Sequence, residues 1–475
     1  MQRLPNELLA IIGEYTREEE SFTKALCALT RCCRRFHQVY QPLLYSIIRI
    51  YRFDFSHVTM IAHLWRAPDV ARLVQRLEVI WASCAKTIET SNAINHTFCS
   101  PSGPKEPYRL DQPDLLEVID HALAEIFMPS EAEASLKWRS HLEILCGEAW
   151  VAVLLVRLTG LRTLWVAHDC SFLMADLLYK AARREQPFHR VPPLPQLLEV
   201  ASHCDLRQAV RPWMDPEFLT PFFYLPAVRT IEGSAFSQRG RFDPRPPLAP
   251  LTVKHATRPV RELTISNVTY WPGLFDWIAA STHLEYLSVM IGRYSRWDDM
   301  MGARDVPFSA PRFRRSLLPV ASSLRTLRLE GSNAYNTAWQ LEQWTDADFA
   351  EHAEEQIGSL KPFTVLENLV MRHSFLIGEI PLTELFPASL KSLSIVDIVD
   401  EFYSDLLSDL WTLVRDRTSS FQLEELGIDL AGLPEETLSS LRNECDTAGI
   451  RLKSDVPPLD PCRRRGGFPY RYVNS

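Results

Sequence analysis

Ten short segments of related form recur along this chain: an apolar residue, two arbitrary positions, a second apolar residue, one further position and, in eight of the ten, a third apolar residue. Their first apolar positions are Val74, Leu161, Leu197, Val228, Val260, Leu284, Leu324, Leu366, Leu390 and Leu423. The clearest are Leu161-x-x-Leu164-x-Val166, Leu324-x-x-Leu327-x-Leu329 and Leu390-x-x-Leu393-x-Ile395. Alternation sends the second and third apolar side chains to one face of a short strand and the residues flanking them to the other. The last nine segments begin 24 to 42 residues apart, a period at which one strand and one covering helix bury their apolar faces only against the next such unit. Apolar residues spaced three and four apart place the better covering helices at Leu115 to Phe127, Leu136 to Leu158, Ala347 to Ile357 and Tyr403 to Val414. The expected fold class is therefore α/β, a stack of short parallel strands on a concave side with helices on the convex side. An ordinary α/β domain with unrelated amphipathic strands is the competing reading. Three Pro-rich stretches, Ser100 to Pro113, Gln186 to Pro195 and Ser237 to Pro259, are expected as surface loops.

Composition narrows the function classes. Lys and Arg total 51 against 59 for Asp and Glu, a net charge of −8 that removes the footprint of general nucleic-acid binding. The longest apolar run, Ala149 to Val156, is far short of the roughly 20 residues that cross a bilayer, so no membrane span is expected. With Arg3, Pro5 and Glu7 ahead of any long apolar stretch there is no secretory signal pattern either. The expected location is cytoplasmic and/or nuclear, where the 10 cysteines stay as free thiols.

Signatures of bond chemistry are missing. Only 17 residues are glycine, no two of them lie two apart, and the one G-x-x-x-x-G, Gly427 to Gly432, continues with Leu433-Pro434 in place of Lys-Ser/Thr. Neither C-x-x-C nor H-x-x-x-H occurs, so no zinc site is announced, and there is no G-x-S-x-G elbow for a hydrolytic serine. His141-Leu-Glu143 matches half of a zinc-deaminase pattern, but Pro461-Cys462 runs into Arg463 to Arg465 where the other half would be. The expectation is a non-catalytic protein with no cofactor and no metal.

The first fifty residues read as three short helices. Leu8, Leu9, Ile12 and Tyr15 make an apolar stripe after Pro5, with Asn6 as the expected cap. Phe22, Leu26, Leu29, Cys32 and Cys33 make a second stripe, and Phe36, Val39, Leu43 and Leu44 a third that Pro42 is expected to bend or end. Such a unit has a marginal core of its own, so some of its apolar surface is expected to be completed by a partner or by the chain that follows. A plain three-helix cap on the next domain is the bland alternative.

Leu4-Pro5-Asn6-Glu7-Leu8-Leu9-Ala10-Ile11-Ile12, the segment Leu26 to Phe36 with its Cys33-Arg34-Arg35-Phe36, and Gln41-Pro42-Leu43-Leu44-Tyr45 together resemble an F-box. The resemblance covers about a tenth of the chain. The remainder resembles the irregular leucine-rich repeat domains that follow an F-box in many fungal proteins, although the buried asparagine ladder of such repeats is largely missing. The organisation so implied is an F-box over residues 1–50 and an irregular leucine-rich repeat domain over 51–453; after Lys453, Pro457-Pro458 and Arg463 to Gly467 cannot supply a core, so 454–475 is expected to be a disordered tail. What the resemblance implies is docking on the Skp-type adaptor of a cullin-RING ubiquitin ligase through Leu4, Pro5, Leu8, Leu9, Ile12, Leu29, Cys32, Cys33 and Phe36. A target protein would then be held by the repeat domain.

The residues expected to line the open strand face are Trp165, Tyr286, Met290, Arg328, Glu330 and Arg372, types that commonly anchor interfaces. A second candidate is the acidic stretch Leu341 to Leu360, which holds no Lys or Arg. The function expected is that of a substrate-recognition subunit. A scaffold that binds the adaptor without delivering a substrate is the alternative, and an enzyme with a spatially assembled Cys/His or Ser/His site ranks third.

Overall fold

The computed structural model describes residues 4–15, 22–51, 53–80, 112–167, 173–203, 216–234, 259–268, 271–291, 308–331, 356–398, 403–415, 422–428 and 435–453. It is mixed α/β, and the described residues divide into two compact units, up to Arg229 and from Thr230.

The first unit opens with helices α1 (Asn6–Tyr15), α2 (Phe22–Cys32) and α3 (Arg34–Tyr45). Strands β1 (Ile47–Ile50), β2 (Arg76–Ile80), β3 (Thr163–Ala167) and β4 (Glu199–His203) then pair in parallel in chain order. Between them run α4 (Phe55–Arg66), the single turn α5 (Pro68–Ala71), α6 (Pro113–Ile126), α7 (Ala132–Glu143), α8 (Gly147–Arg157) and α9 (Leu173–Arg183). The second unit continues with β5 (Thr230–Ser234), β6 (Glu262–Val268), β7 (Tyr286–Ile291), β8 (Thr326–Gly331), β9 (Asn368–Arg372), β10 (Ser392–Val396), β11 (Glu425–Ile428) and β12 (Arg451–Lys453). These too are all parallel and each pairs with the next in sequence. Helices Trp271–Ala280, Ala310–Leu317, Tyr403–Arg415 and Glu435–Ala448 alternate with them.

Each of the ten sequence segments yields a strand, and the strand starts two residues after the first apolar position, as β3 at Thr163 follows Leu161 and β8 at Thr326 follows Leu324. The register explains why. In the second unit Ile231, Leu263, Leu287, Leu327, Leu369, Leu393 and Leu426 stand side by side in one row, and all are buried. Two residues on, Ile265, Val289, Leu329, Met371, Ile395 and Ile428 form a second buried row. The first unit repeats the scheme with Ile48, Leu77, Leu164 and Val200. Burying a Leu or Ile side chain stabilises by about 1.5 to 3 kcal/mol, so these rows fix the register: a slip of one residue would expose all of them.

One residue after the first apolar position, the backbone N–H bonds to the matching carbonyl of the preceding turn within each unit, as Arg325 N to Glu285 O and Glu367 N to Arg325 O, both at 2.9 Å. In the second unit the side chains at this position are Arg261, Glu285, Arg325, Glu367, Lys391 and Glu424, which alternate in sign. Ion pairs join Arg261 to Glu285 at 3.3 Å, Arg325 to Glu367 at 3.4 Å and Lys391 to Glu367 at 3.2 Å. Charged side chains also guard the last strand, where Arg451 and Lys453 both pair with Glu425, at 3.4 and 2.5 Å.

Several expectations need correction. The stretch Leu136 to Leu158 is two helices, α7 and α8, separated at Leu145, whose φ of 60° leaves the right-handed region. Gly147 then starts α8, where a Cβ would stand 2.7 Å from Cγ of Phe53, so a side chain there would collide with a buried ring. Pro42 does not end the third helix, which runs on to Tyr45 and is closed by Ser46, whose Oγ donates to the Leu43 carbonyl at 2.7 Å. Of the helix expected at Ala347 to Ile357, only Gln356 and Ile357 are described, and they are not helical. The 454–475 tail lies outside the described residues, as do most of the Ser100 to Pro113 and Ser237 to Pro259 stretches.

Candidate functional site

Helices α1 to α3 close on their own small core of Leu9, Leu26 and Tyr40, with Leu4, Leu29, Phe36, Val39, Leu43 and Leu44 packed around it. Phe36 meets Tyr40 edge to face at 5.5 Å, and burial raises the Tyr40 hydroxyl above its ordinary pKa. Gly13 lets α1 approach α3, because a Cβ there would stand 2.7 Å from Leu43 Cδ1. Asn6 is the first residue of α1 and not its cap: its Oδ1 accepts from Arg35 Nε at 2.9 Å, and Arg35 also donates to the Leu4 carbonyl. The first turn of α3 is thereby tied to the start of α1.

That packing sorts the expected docking residues. Leu9 is fully buried and holds the unit together, while Leu4, Leu29 and Phe36 are half-buried around it. Pro5, Leu8, Ile12, Cys32 and Cys33 are exposed. Two further residues belong with Leu8 and Ile12. Leu8 is 45% exposed, Ile11 46%, Ile12 43% and Tyr15 84%, and their spacing of three, four and seven puts all four on one stripe of α1. The sequence stripe of Leu8, Leu9, Ile12 and Tyr15 leaves Ile11 out and mixes the buried Leu9 with exposed residues. The signal was there, since Leu8, Leu9, Ile11 and Ile12 are too many apolar residues for a single face of one helix.

The strand-face candidates distribute differently. Trp165 belongs to the first unit and is half-buried, next in register to Glu78, a fully buried carboxylate. Glu78 meets Arg49 at 3.1 Å and Arg76 at 2.6 Å and accepts from the Tyr51 hydroxyl at 3.1 Å. Burial, and then the Glu78 charge, push the Tyr51 pKa up to about 12. No sequence pattern marked this cluster, because its members come from different strands.

In the second unit Tyr286, Met290 and Arg328 are half-buried, whereas Glu330 and Arg372 are buried, at 5% and 2% exposure. Neither of those two is presented at the surface. Glu330 accepts from Arg328 Nε and Nη2 at 2.8 and 2.6 Å, and Arg372 Nε lies 3.9 Å from Asp397. Asp397 is itself held at φ 51° and accepts from the Gly331 N–H at 3.1 Å, which ties the ends of β8 and β10. The charges on this face are therefore used within the unit, and Tyr286, Met290 and Arg328 are the candidates that stay partly exposed on it. Residues 341–355 of the acidic stretch lie outside the described residues.

Among the described residues no cluster of His, Cys, Asp and Glu is arranged to hold a metal ion, and no helix is long and apolar enough to cross a membrane. No protein-family model matches the chain, and no curated protein matches it significantly in sequence.

Proposed function

We propose that this chain is the substrate-recognition subunit of a Skp-cullin-F-box ubiquitin ligase. Its three N-terminal helices are an F-box that docks on the adaptor, and its strand-helix units are an irregular leucine-rich repeat solenoid that holds a target protein. It makes and breaks no bonds itself. The observation that carries this reading is the α1 stripe: Leu8, Ile11, Ile12 and Tyr15 lie open to water on a helix whose opposite face is already sealed by Leu9 and Gly13. A unit with a closed core has no internal use for a second apolar face, and contiguous exposed apolar side chains mark interaction surfaces. Helix-in-groove docking reads such i, i+3, i+4, i+7 anchors, and covering each half-exposed side chain is worth about 1 kcal/mol.

The test is capture of purified Skp-type adaptor by the full chain and by a Leu8→Asp/Ile12→Asp variant. Because both side chains are exposed, the variant is expected to keep its circular dichroism and thermal midpoint and to lose the adaptor. Undiminished capture at equal expression would sink the F-box assignment. Delivery is read separately: captured target proteins should gain half-life when residues 1–50 are deleted, and unchanged half-lives would leave a scaffold.

A further inference from the structure

The described cysteines fall into two kinds. Cys146 and Cys445 are buried and Cys27 is half-buried, but Cys32 and Cys33 are adjacent and both exposed. They form the joint between α2 and α3. Cys32 ends α2, its Sγ donating to the Ala28 carbonyl at 3.2 Å. Cys33 interrupts the helices with extended backbone, φ −162° and ψ 164°, and its Sγ accepts from the Phe36 N–H at 3.5 Å. Two residues on, Arg35 is bonded to Asn6 and to the Leu4 carbonyl, so the joint adjoins the end of α1 from which the exposed stripe begins.

We propose that Cys32 and Cys33 are a thiol switch on the docking face: a low-molecular-weight disulfide of the glutathione class caps one of the pair, and the cap and the adaptor exclude each other. This rests on the docking reading above. In the exchange a cysteine thiolate attacks one sulfur of glutathione disulfide. A bond forms between Sγ and that sulfur, the original S–S bond breaks, and the departing glutathione thiolate takes up the proton the cysteine gave to solvent, so the protein thiol is oxidised and one glutathione is reduced. The cap adds a tripeptide with a net negative charge at this joint, which the Arg35 bonds to Asn6 and the Leu4 carbonyl hold next to the start of α1 and its exposed stripe. An unpaired charge buried against an apolar surface opposes association, so docking weakens. Linkage makes the effect reciprocal: whatever factor the cap takes from adaptor affinity, bound adaptor takes from cap formation.

The experiment uses the full chain, reduced and then treated with glutathione disulfide, with peptide mass mapping to locate the adduct and adaptor affinity measured before and after. The expected result is an adduct on Cys32 or Cys33 and none on Cys146 or Cys445. Affinity should fall about tenfold or more, in the range for an unpaired charge in an interface, and dithiothreitol should restore it. A Cys32→Ser/Cys33→Ser variant should show the same affinity treated and untreated, whatever its own value. Independently of any variant, saturating adaptor should slow capping of Cys32 and Cys33 in the native sequence by a similar factor. Full occupancy with unchanged affinity overturns the proposal, as does an adduct confined to Cys27 or capping that proceeds equally fast under bound adaptor. If the reduced, untreated chain fails to bind adaptor at all, the docking reading itself falls and the switch with it.

Discussion

Glu148 offers the sharpest test of how the first unit is held together. It is only 2% exposed, and its Oε1 accepts from the backbone N–H groups of Leu173 at 2.5 Å and Met174 at 3.1 Å, two donors that open α9 and have no partner within their own helix. Glu148 also lies in the first turn of α8, so one carboxylate serves the positive ends of two helices. Glu148→Ala removes the acceptor and leaves two buried N–H groups, each costing about 1 to 3 kcal/mol, while relieving the desolvation of the carboxylate; the net expectation is about 2 to 4 kcal/mol. Glu148→Gln keeps a neutral oxygen in the same place. Since charge-assisted bonds are about twice as strong as neutral ones, it should cost about 1 to 2 kcal/mol and fall between the two. Hydrogen exchange is the suitable assay, because a chain of two units need not unfold in one step and the amides of Leu173 and Met174 report locally. At about 1.4 kcal/mol per tenfold, the Ala variant should exchange there between one and three orders of magnitude faster. A Gln variant as exposed as Ala, or an Ala variant within threefold of the native rate, would refute the capping argument.

Other expectations follow from the second unit. Leu327→Ala and Leu369→Ala, in the middle of the buried row, should each cost about 2 to 5 kcal/mol in urea unfolding of that unit; losses under about 1 kcal/mol would mean the row is not tightly packed. Glu367→Lys removes the acid between Arg325 and Lys391 and should destabilise by about 1 to 2 kcal/mol at low salt, an effect that should largely disappear at about 1 M salt. His373 is buried and its pKa is lowered from 6.5 to about 4 by desolvation. The unfolded chain therefore binds the proton more readily between those values. His373 should contribute no pH dependence above 6.5 and should lower stability as pH falls through that window, by about 3 kcal/mol in all. A His373 titration near 6.5 in the folded protein by NMR would contradict this.

The strands were legible because the evidence for them is local. Two or three apolar positions at fixed offsets must be buried together, and no helix satisfies that spacing over ten segments. The two strands that escaped, β1 and β12, show the limit of the rule. In β1 the first apolar position is Tyr45, the last residue of α3, and in β12 it is Gly449, so the pattern is carried by Ile48 and Ile50 or by Leu452 alone. The break between α7 and α8 was hidden for a related reason, since Leu145 and Gly147 continue an apolar helical rhythm and the Phe53 ring that leaves no room for a Cβ at Gly147 is distant in sequence. Glu78 and Glu148 could not be read at all, because a buried carboxylate is recognisable only by partners that other elements bring to it.

The first helix poses the opposite case, where composition said more than the periodicity drawn from it. Leu8, Leu9, Ile11 and Ile12 occupy two faces of α1, so a unit of three short helices can bury one face and must leave the other. The choice is settled by Gly13, the only residue of that face without a side chain: it admits Tyr40 and Leu43, and so turns Leu9 inward. Had Gly13 been alanine, the Leu9 face would be held off α3 and the Leu8 stripe would compete for the core. The same glycine that seals the unit thus fixes which apolar residues are left for a partner, and Gly13→Ala should weaken the three-helix core and adaptor capture together, whereas Ile11→Asp or Tyr15→Asp should weaken capture alone.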